Sequence, residues 1–168
     1  MKRVDESTSS VLAIIALGSN LGDRGQLIQR GVDFLCNCFA EPGTFRTSTI
    51  WETKPIDCPP GSPLFLNAVS VFETKFPLRS LFEQCQNFER EMGRAAIRAV
   101  NDPRPLDLDL ILFGDQVINT PDLLLPHPRA TKRGFVLGPL AELLPELLLP
   151  GEKKSVRVLF DELQDRVD

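Results

Sequence analysis

The stretch Pro103–Phe113, PRPLDLDLILF, is apolar enough to be a buried strand, yet it carries Asp107 and Asp109 two residues apart. Side chains alternate across a strand, so both carboxylates share one face, with Cα atoms roughly 6–7 Å apart. Carboxylates that close repel unless something positive lies between them. Magnesium meets that need: it prefers oxygen ligands, keeps several waters and is held by one or two carboxylates plus substrate phosphates. Two such ions, about 3.5–4 Å apart, can share one acidic pair while bridging a polyphosphate. The plainer alternative is a pair of strand-end aspartates that face water or pair with arginine. The spacing alone leaves both readings open.

The surrounding residues favour an anionic ligand. Arg94, Arg98 and Arg104 precede the acidic pair, and Arg129, Lys132 and Arg133 follow it in PHPRATKRGF. Guanidinium groups and Mg²⁺ together can neutralise a triphosphate. Each arginine taken singly reads as a solvated surface residue. Clustering around one strand is what raises them above that. Phe65 and Asn67 lie two apart and share a face of another apolar run, and Phe135 follows the second basic segment. A flat heterocycle could stack on such rings while Asn67 bonds its edge, although buried phenylalanine is also ordinary core.

These groups need a scaffold. A chain of 168 residues, 42% apolar, makes one domain with a full core, expected over residues 11–168 behind a loose polar tail at 1–10. A net charge of −4 gives no global field for nucleic acid, so an anion must be gripped locally. Cys36, Cys38, Cys58 and Cys85 form no CxxC pair and, with His127 as the only histidine, read as reduced thiols rather than a zinc site. The polar first ten residues are no secretory signal, and no run is long enough to span a bilayer; a cytoplasmic setting is expected.

Val11–Leu17 reads as a central strand, with a helix after it over about 24–39 opened at Gly22-Asp23. Phe45–Thr53 reads as one second strand, followed by the proline-laden loop 54–63 and a third strand at Leu64–Phe72. A helix over about Leu78–Met92, the loop 93–105 and a fourth strand at Leu106–Phe113 come next. Short additions are expected at Val117-Ile118, Phe135–Leu144 and Val156–Leu163. The order β-α-β-β-α-β points to an α+β, ferredoxin-like antiparallel sheet with helices on both faces, an α-β-α sandwich.

Six blocks, ALGSNLGD (16–23), WETKPI (51–56), FLNAV (65–69), QNFEREMGR (86–94), DPRPLDLDLILF (102–113) and PHPRATKRGFVLGPL (126–140), occur in an order that resembles the 6-hydroxymethyl-7,8-dihydropterin pyrophosphokinases of folate biosynthesis. The resemblance spans about residues 11–150. It implies a ferredoxin-like fold with flexible catalytic loops, and transfer of diphosphate from ATP to the pterin hydroxymethyl group, leaving AMP. It makes Asp107 and Asp109 ligands of two Mg²⁺ ions, and Arg94 and Arg104 the loop arginines on the phosphates. It makes His127 and Arg133 further phosphate contacts and puts Gln86 and Glu89 at ATP. Gly18, Thr53, Phe65, Asn67 and Phe135 become the pterin pocket, completed by backbone near Pro55 and Ile56. Phe65 stands where many members have tyrosine, which keeps the ring and drops the phenol. Asn101 occupies the place of a tryptophan in some relatives, Arg98 is slightly out of register with a second loop arginine, and Asp122 and Leu124 replace polar nucleotide contacts of some members.

The implied partners are two small substrates, with neither nucleic acid nor membrane, and a fused or neighbouring folate-pathway enzyme. No side chain stands out as an essential general base, and the loops at 54–63 and 93–105 are placed to close over the substrates. Two other classes fit these residues less well. A ferredoxin-like RNA-binding module asks for exposed sheet aromatics and a basic face, and paired acids would repel RNA. A two-metal nucleotidyltransferase asks for a third acid on a partner strand.

Overall fold

A computed structural model of the chain describes residues 9–93 and 102–166. Strand β1 (Val11–Ser19) leads into helix α1 (Arg24–Phe39). The turn between them uses Gly22 at φ +77° and Asp23 as N-cap, whose carboxylate accepts from the Gln26 amide at 3.1 Å. Then come β2 (Arg46–Thr47), β3 (Trp51–Thr53), β4 (Phe65–Thr74), α2 (Leu78–Glu91) and β5 (Asp107–Phe113). A small ribbon, β6 (Ile118–Asn119) with β7 (Leu124–Leu125), precedes α3 (Gly134–Leu143) and α4 (Val156–Asp165).

The sheet runs β2-β4-β1-β5, with β3 also on β4, and every pairing is antiparallel. This is the expected βαββαβ connectivity, with β1 and β4 at the centre. Alternation along β1 divides the core. Ala13, Ile15 and Leu17 face α1 and α2, packing with Ile28, Leu35, Phe39, Leu81 and Cys85. Ile14 and Ala16 face α3 and α4, packing with Val136, Leu137, Leu140 and Val156. The sheet is therefore covered on both sides, as the element order requires.

One expected strand is two. The run 45–53 pairs with β4 as β2 and β3, and the register advances by one residue between Thr47↔Ser70 and Trp51↔Asn67. Ser48 makes the break. Its amide donates to the Val69 carbonyl at 2.9 Å while its hydroxyl accepts from the Val69 amide at 2.9 Å, so one side chain takes a rung of the ladder and the next residues bulge outward. β-propensity sees only a favourable run of Thr, Ile and Trp; it does not see the bulge.

The four thiols are free, with Cys36 and Cys38 exposed and Cys85 buried. Burial pushes the Cys85 thiol up to about 12. Among the described residues no helix is long and apolar enough to cross a membrane. Residues 1–8 of the expected tail lie outside the described residues, and Ser9 and Ser10 are exposed.

Candidate active site

β5 is an edge strand against β1, with Gly18↔Asp107, Leu17↔Leu108 and Ala16↔Asp109 in register. Leu106, Leu108 and Leu110 point into the α1/α2 core, so the two aspartates fall together on the opposite face. There the α3/α4 cover stops short, and a pocket opens. It is lined by both aspartates, Arg104, Arg129 and Arg133, by Gly18, Thr53, Phe65, Asn67 and Phe135, and by Lys54, Ile56, Asp57 and Cys58 of the Pro-rich loop.

Each aspartate faces an arginine. Arg104 Nε donates to Asp107 Oδ2 at 3.0 Å, with both side chains mostly buried, and Arg133 Nη1 lies 3.6 Å from Asp109 Oδ2. The same guanidinium groups cover the rings, Arg104 at 5.2 Å from the Phe65 centroid and Arg133 at 5.4 Å from that of Phe135. Burial, joined by the repulsion of Arg129, lowers the Arg133 pKa, and Asp109 and Asp107 oppose it. Phosphate, aspartate and aromatic face thus compete for the same two guanidiniums, and a polyanion can recruit them by exchange rather than by new folding.

One wall of the pocket is built from strand ends. Asn67 Nδ2 donates to Thr53 Oγ1 at 2.7 Å, which fixes the amide and aims its carbonyl side toward Gly18. A Cβ on Gly18 would stand 3.5 Å from Asn67 Oδ1 and 3.7 Å from Phe65 Cδ1, so glycine leaves open the floor that a side chain would fill. Ile56 lines this side as expected, and Pro55 is not among the lining residues.

His127 is not among the lining residues of the pocket; its amide donates to the Ile111 carbonyl of β5 at 2.9 Å, and its Nδ1 accepts from the amide of the lining residue Arg129 at 3.2 Å. Burial first, then Arg133 and Arg129, push its pKa down to about 4. It is a neutral imidazole at pH 7, and the Arg129 bond leaves the proton on Nε2.

Other expected contacts fall elsewhere. Gln86 is exposed on α2 and outside the pocket lining; Glu89, on the same helix, is 4% exposed and accepts from the Leu108 amide at 2.7 Å. That bond anchors β5 between its two aspartates from behind. Asp122 is engaged by Arg79 and Thr120 on the surface, Leu124 belongs to β7, and Lys132 is exposed on a 3-10 turn beyond the lining. Arg94, Arg98 and Asn101 lie outside the described residues.

Asn20 is a residue that sequence reasoning missed. It is 1% exposed; its Oδ1 accepts from the Arg104 amide at 2.8 Å, its own amide donates to the Arg104 carbonyl at 3.2 Å, and its Nδ2 donates to the Pro63 carbonyl at 3.4 Å. Arg24 adds a bond from Nη1 to the Leu64 carbonyl at 2.9 Å. The turn after β1 therefore clips both loops. The signal available beforehand was a single asparagine in GSN, with no partner visible nearby.

The profile described as 7,8-dihydro-6-hydroxymethylpterin-pyrophosphokinase (HPPK) matches residues 14–145. The chain belongs to the HPPK family. It is 39% identical over 157 residues to the 2-amino-4-hydroxy-6-hydroxymethyldihydropteridine pyrophosphokinase of Bacillus subtilis, covering 93% of this chain and 89% of that protein. It is 32% identical over 161 residues to the folic acid synthesis protein fol1 of Pneumocystis carinii, covering 96% of this chain but 21% of that protein. The chain thus spans nearly the whole of a bacterial HPPK and about a fifth of a fol1 protein. Among solved structures, Plasmodium falciparum HPPK-DHPS A437G superposes with a TM-score of 0.74 at 16% identity, over 97% of this chain and 47% of that one, which supports the fold.

Proposed function

We propose that this chain transfers a diphosphoryl group from ATP to the hydroxymethyl oxygen of 6-hydroxymethyl-7,8-dihydropterin, releasing AMP and the pterin diphosphate. The observation that carries the reading is one pocket holding two halves of a site. A Gly18-floored slot lies between Phe65, Asn67 and Phe135, and it adjoins two aspartates with three arginines, in a chain of the HPPK family.

The donor set suits magnesium. Asp107 and Asp109 line the pocket with two hard oxygen-donor groups and leave the remaining positions to phosphate and water, although among the described residues no three His, Cys, Asp or Glu side chains gather into a metal-holding group. Bound there, Mg²⁺ would supply Lewis-acid polarisation of the transferred group and help the hydroxyl lose its proton. The chain's own residues do the rest. Arg104 and Arg133 pass from the carboxylates to phosphate oxygens and neutralise charge as it redistributes toward the AMP leaving group. Neutral His127 offers Nε2–H to a phosphate oxygen. Asn67 and the two rings hold the pterin so that its hydroxymethyl group points at the aspartates. The loop residues Lys54–Cys58 lie over the slot and exclude water that would hydrolyse ATP. The partner reading extends this: a folate-pathway enzyme, on the same chain or beside it, takes up the diphosphate product.

The test is an incubation with ATP, Mg²⁺ and 6-hydroxymethyl-7,8-dihydropterin. AMP and the pterin diphosphate should appear together in equal amounts, and neither should form without Mg²⁺. Formation of ADP, or no nucleotide turnover, defeats the proposal.

A further inference from the structure

Glu142 lies on the last turn of α3, outside the pocket and about two turns, roughly 10 Å along the helix, from Phe135. Its carboxylate accepts three hydrogen bonds: from the Thr49 amide at 2.9 Å, from the Thr49 hydroxyl at 2.7 Å and from Trp51 Nε1 at 2.6 Å. Two of the donors are on Thr49, in the bulged segment that separates β2 from β3, and the third is Trp51, the first residue of β3. Trp51 also packs its ring edge on Gly138 of α3, where a Cβ would overlap it, and meets Phe160 of α4 edge-on with centroids 5.8 Å apart. Two residues beyond Trp51, Thr53 enters the pocket and bonds Asn67. One end of α3 thus carries Phe135 to the slot and the other end holds the strand that carries Thr53 to it.

We propose that Glu142 is a positioning residue that sets the spacing between the two walls of the pterin slot, Thr53–Asn67 on the strands and Phe135 on the helix, through its bonds to Thr49 and Trp51. The geometry has a clear reason. β3 is only three residues long, beyond it runs the proline-rich loop, and an edge of this length cannot hold its place by ladder bonds alone. A carboxylate accepting three hydrogen bonds, one from a rigid indole, supplies the missing constraint. Against the upward pull of burial, the bonds from Thr49 and Trp51 hold the Glu142 carboxyl below its ordinary value, so the anchor stays ionised at neutral pH. The flat ring is recognised by a gap between two elements, and a gap is specific only as far as its walls are fixed.

The inference rests on the pterin reading above, and the experiment separates the two. Trp51 is the only tryptophan in the chain, so its emission reports this anchor directly. Wild type, Glu142→Gln, Glu142→Ala and Trp51→Phe are titrated with 6-hydroxymethyl-7,8-dihydropterin and, separately, with Mg²⁺ and a methylene analogue of ATP, followed by calorimetry; emission is recorded for the tryptophan-containing proteins. Glu142→Ala should shift the Trp51 emission and weaken pterin binding about tenfold, on the scale of one or two charge-assisted hydrogen bonds, with nucleotide binding unchanged within about twofold. Glu142→Gln, which keeps one acceptor oxygen, should fall between it and wild type. Trp51→Phe keeps a ring on Gly138 and should weaken the pterin by a few-fold; it also serves if Glu142→Ala fails to fold. An unshifted emission, an unchanged pterin affinity in both Glu142→Gln and Trp51→Phe, or equal weakening of both ligands overturns the assignment of Glu142. Failure of wild type to bind the pterin overturns the function reading instead.

Discussion

The two faces of β5 make opposite use of one strand. On one face Leu106, Leu108 and Leu110 are covered by α1 and α2 and belong to the larger core. On the other, Ile111 and Leu112 are covered by α3 while Asp107 and Asp109 are not. A bulge between Leu110 and Leu112 lets both Ile111 and Leu112 turn to that second face, so the strand changes from chemistry to packing within two residues. The lesson is that this site is the uncovered end of a core face. Its aspartates are held rigidly because their immediate neighbours in the chain are buried leucines, and Glu89 ties the Leu108 amide from behind.

The contrast can be broken from either side. The largest effect is expected at the acids: Asp107→Asn and Asp109→Asn should each reduce turnover by at least about a hundredfold, the scale on which a single transition-state charge contact acts. Both should leave the melting temperature within a few degrees, since each keeps the side-chain shape. Normal turnover in both variants would remove the metal role. Leu108→Ala is the reverse experiment, expected to cost about 2–5 kcal/mol of stability in a denaturant titration. If instead it left stability intact and only slowed turnover, the division of the strand into a packed and a chemical face would be wrong.

Arg104→Ala should lower the single-turnover rate more than it lowers nucleotide affinity, because Arg104 is paired to Asp107 and, on the proposed mechanism, passes to phosphate oxygens as charge redistributes. A loss confined to affinity would contradict that exchange. Gly18→Ala sharpens the boundary between wall and floor. The added methyl makes only ordinary contacts with Asn67 and Phe65, so stability should hold while the pterin KM rises several-fold; an unchanged KM would move the ring elsewhere.

The last handle is pH. His127 has its folded pKa depressed to about 4 from 6.5, so the unfolded chain takes up a proton first as the pH falls. Its neutral state contributes stability that is fully present above pH 6.5 and is lost progressively between 6.5 and about 4. Comparing denaturant midpoints of wild type and His127→Gln across that window should show the wild-type curve falling more steeply.

Much of this was legible beforehand for one reason: local period. The alternation of Asp and Leu in LDLDL put both carboxylates on one face, and the stripe Leu27, Ile28, Phe34, Leu35 and Phe39, of which Ile28, Leu35 and Phe39 are buried, placed α1. The six motif blocks gave the family and most pocket residues. What stayed hidden depends on contacts across the chain. Ser48 split an expected strand because its hydroxyl reached Val69, Asn20 found Arg104 from 84 positions away, and Glu142 found Trp51 from 91 positions away. Glu89, read as a nucleotide contact, turned out to be buried behind the strand.

The amino-acid sequence by itself determined the order of the long strands and helices, the shared face of the two acids and the kinds of residue that line the pocket, because side-chain direction follows from backbone period within a few residues. Which arginine faces which aspartate, and how far apart the pocket walls stand, were decided by the tertiary structure. Those distances are set where α3 and the β2–β3 bulge meet, between groups that no local rule connects.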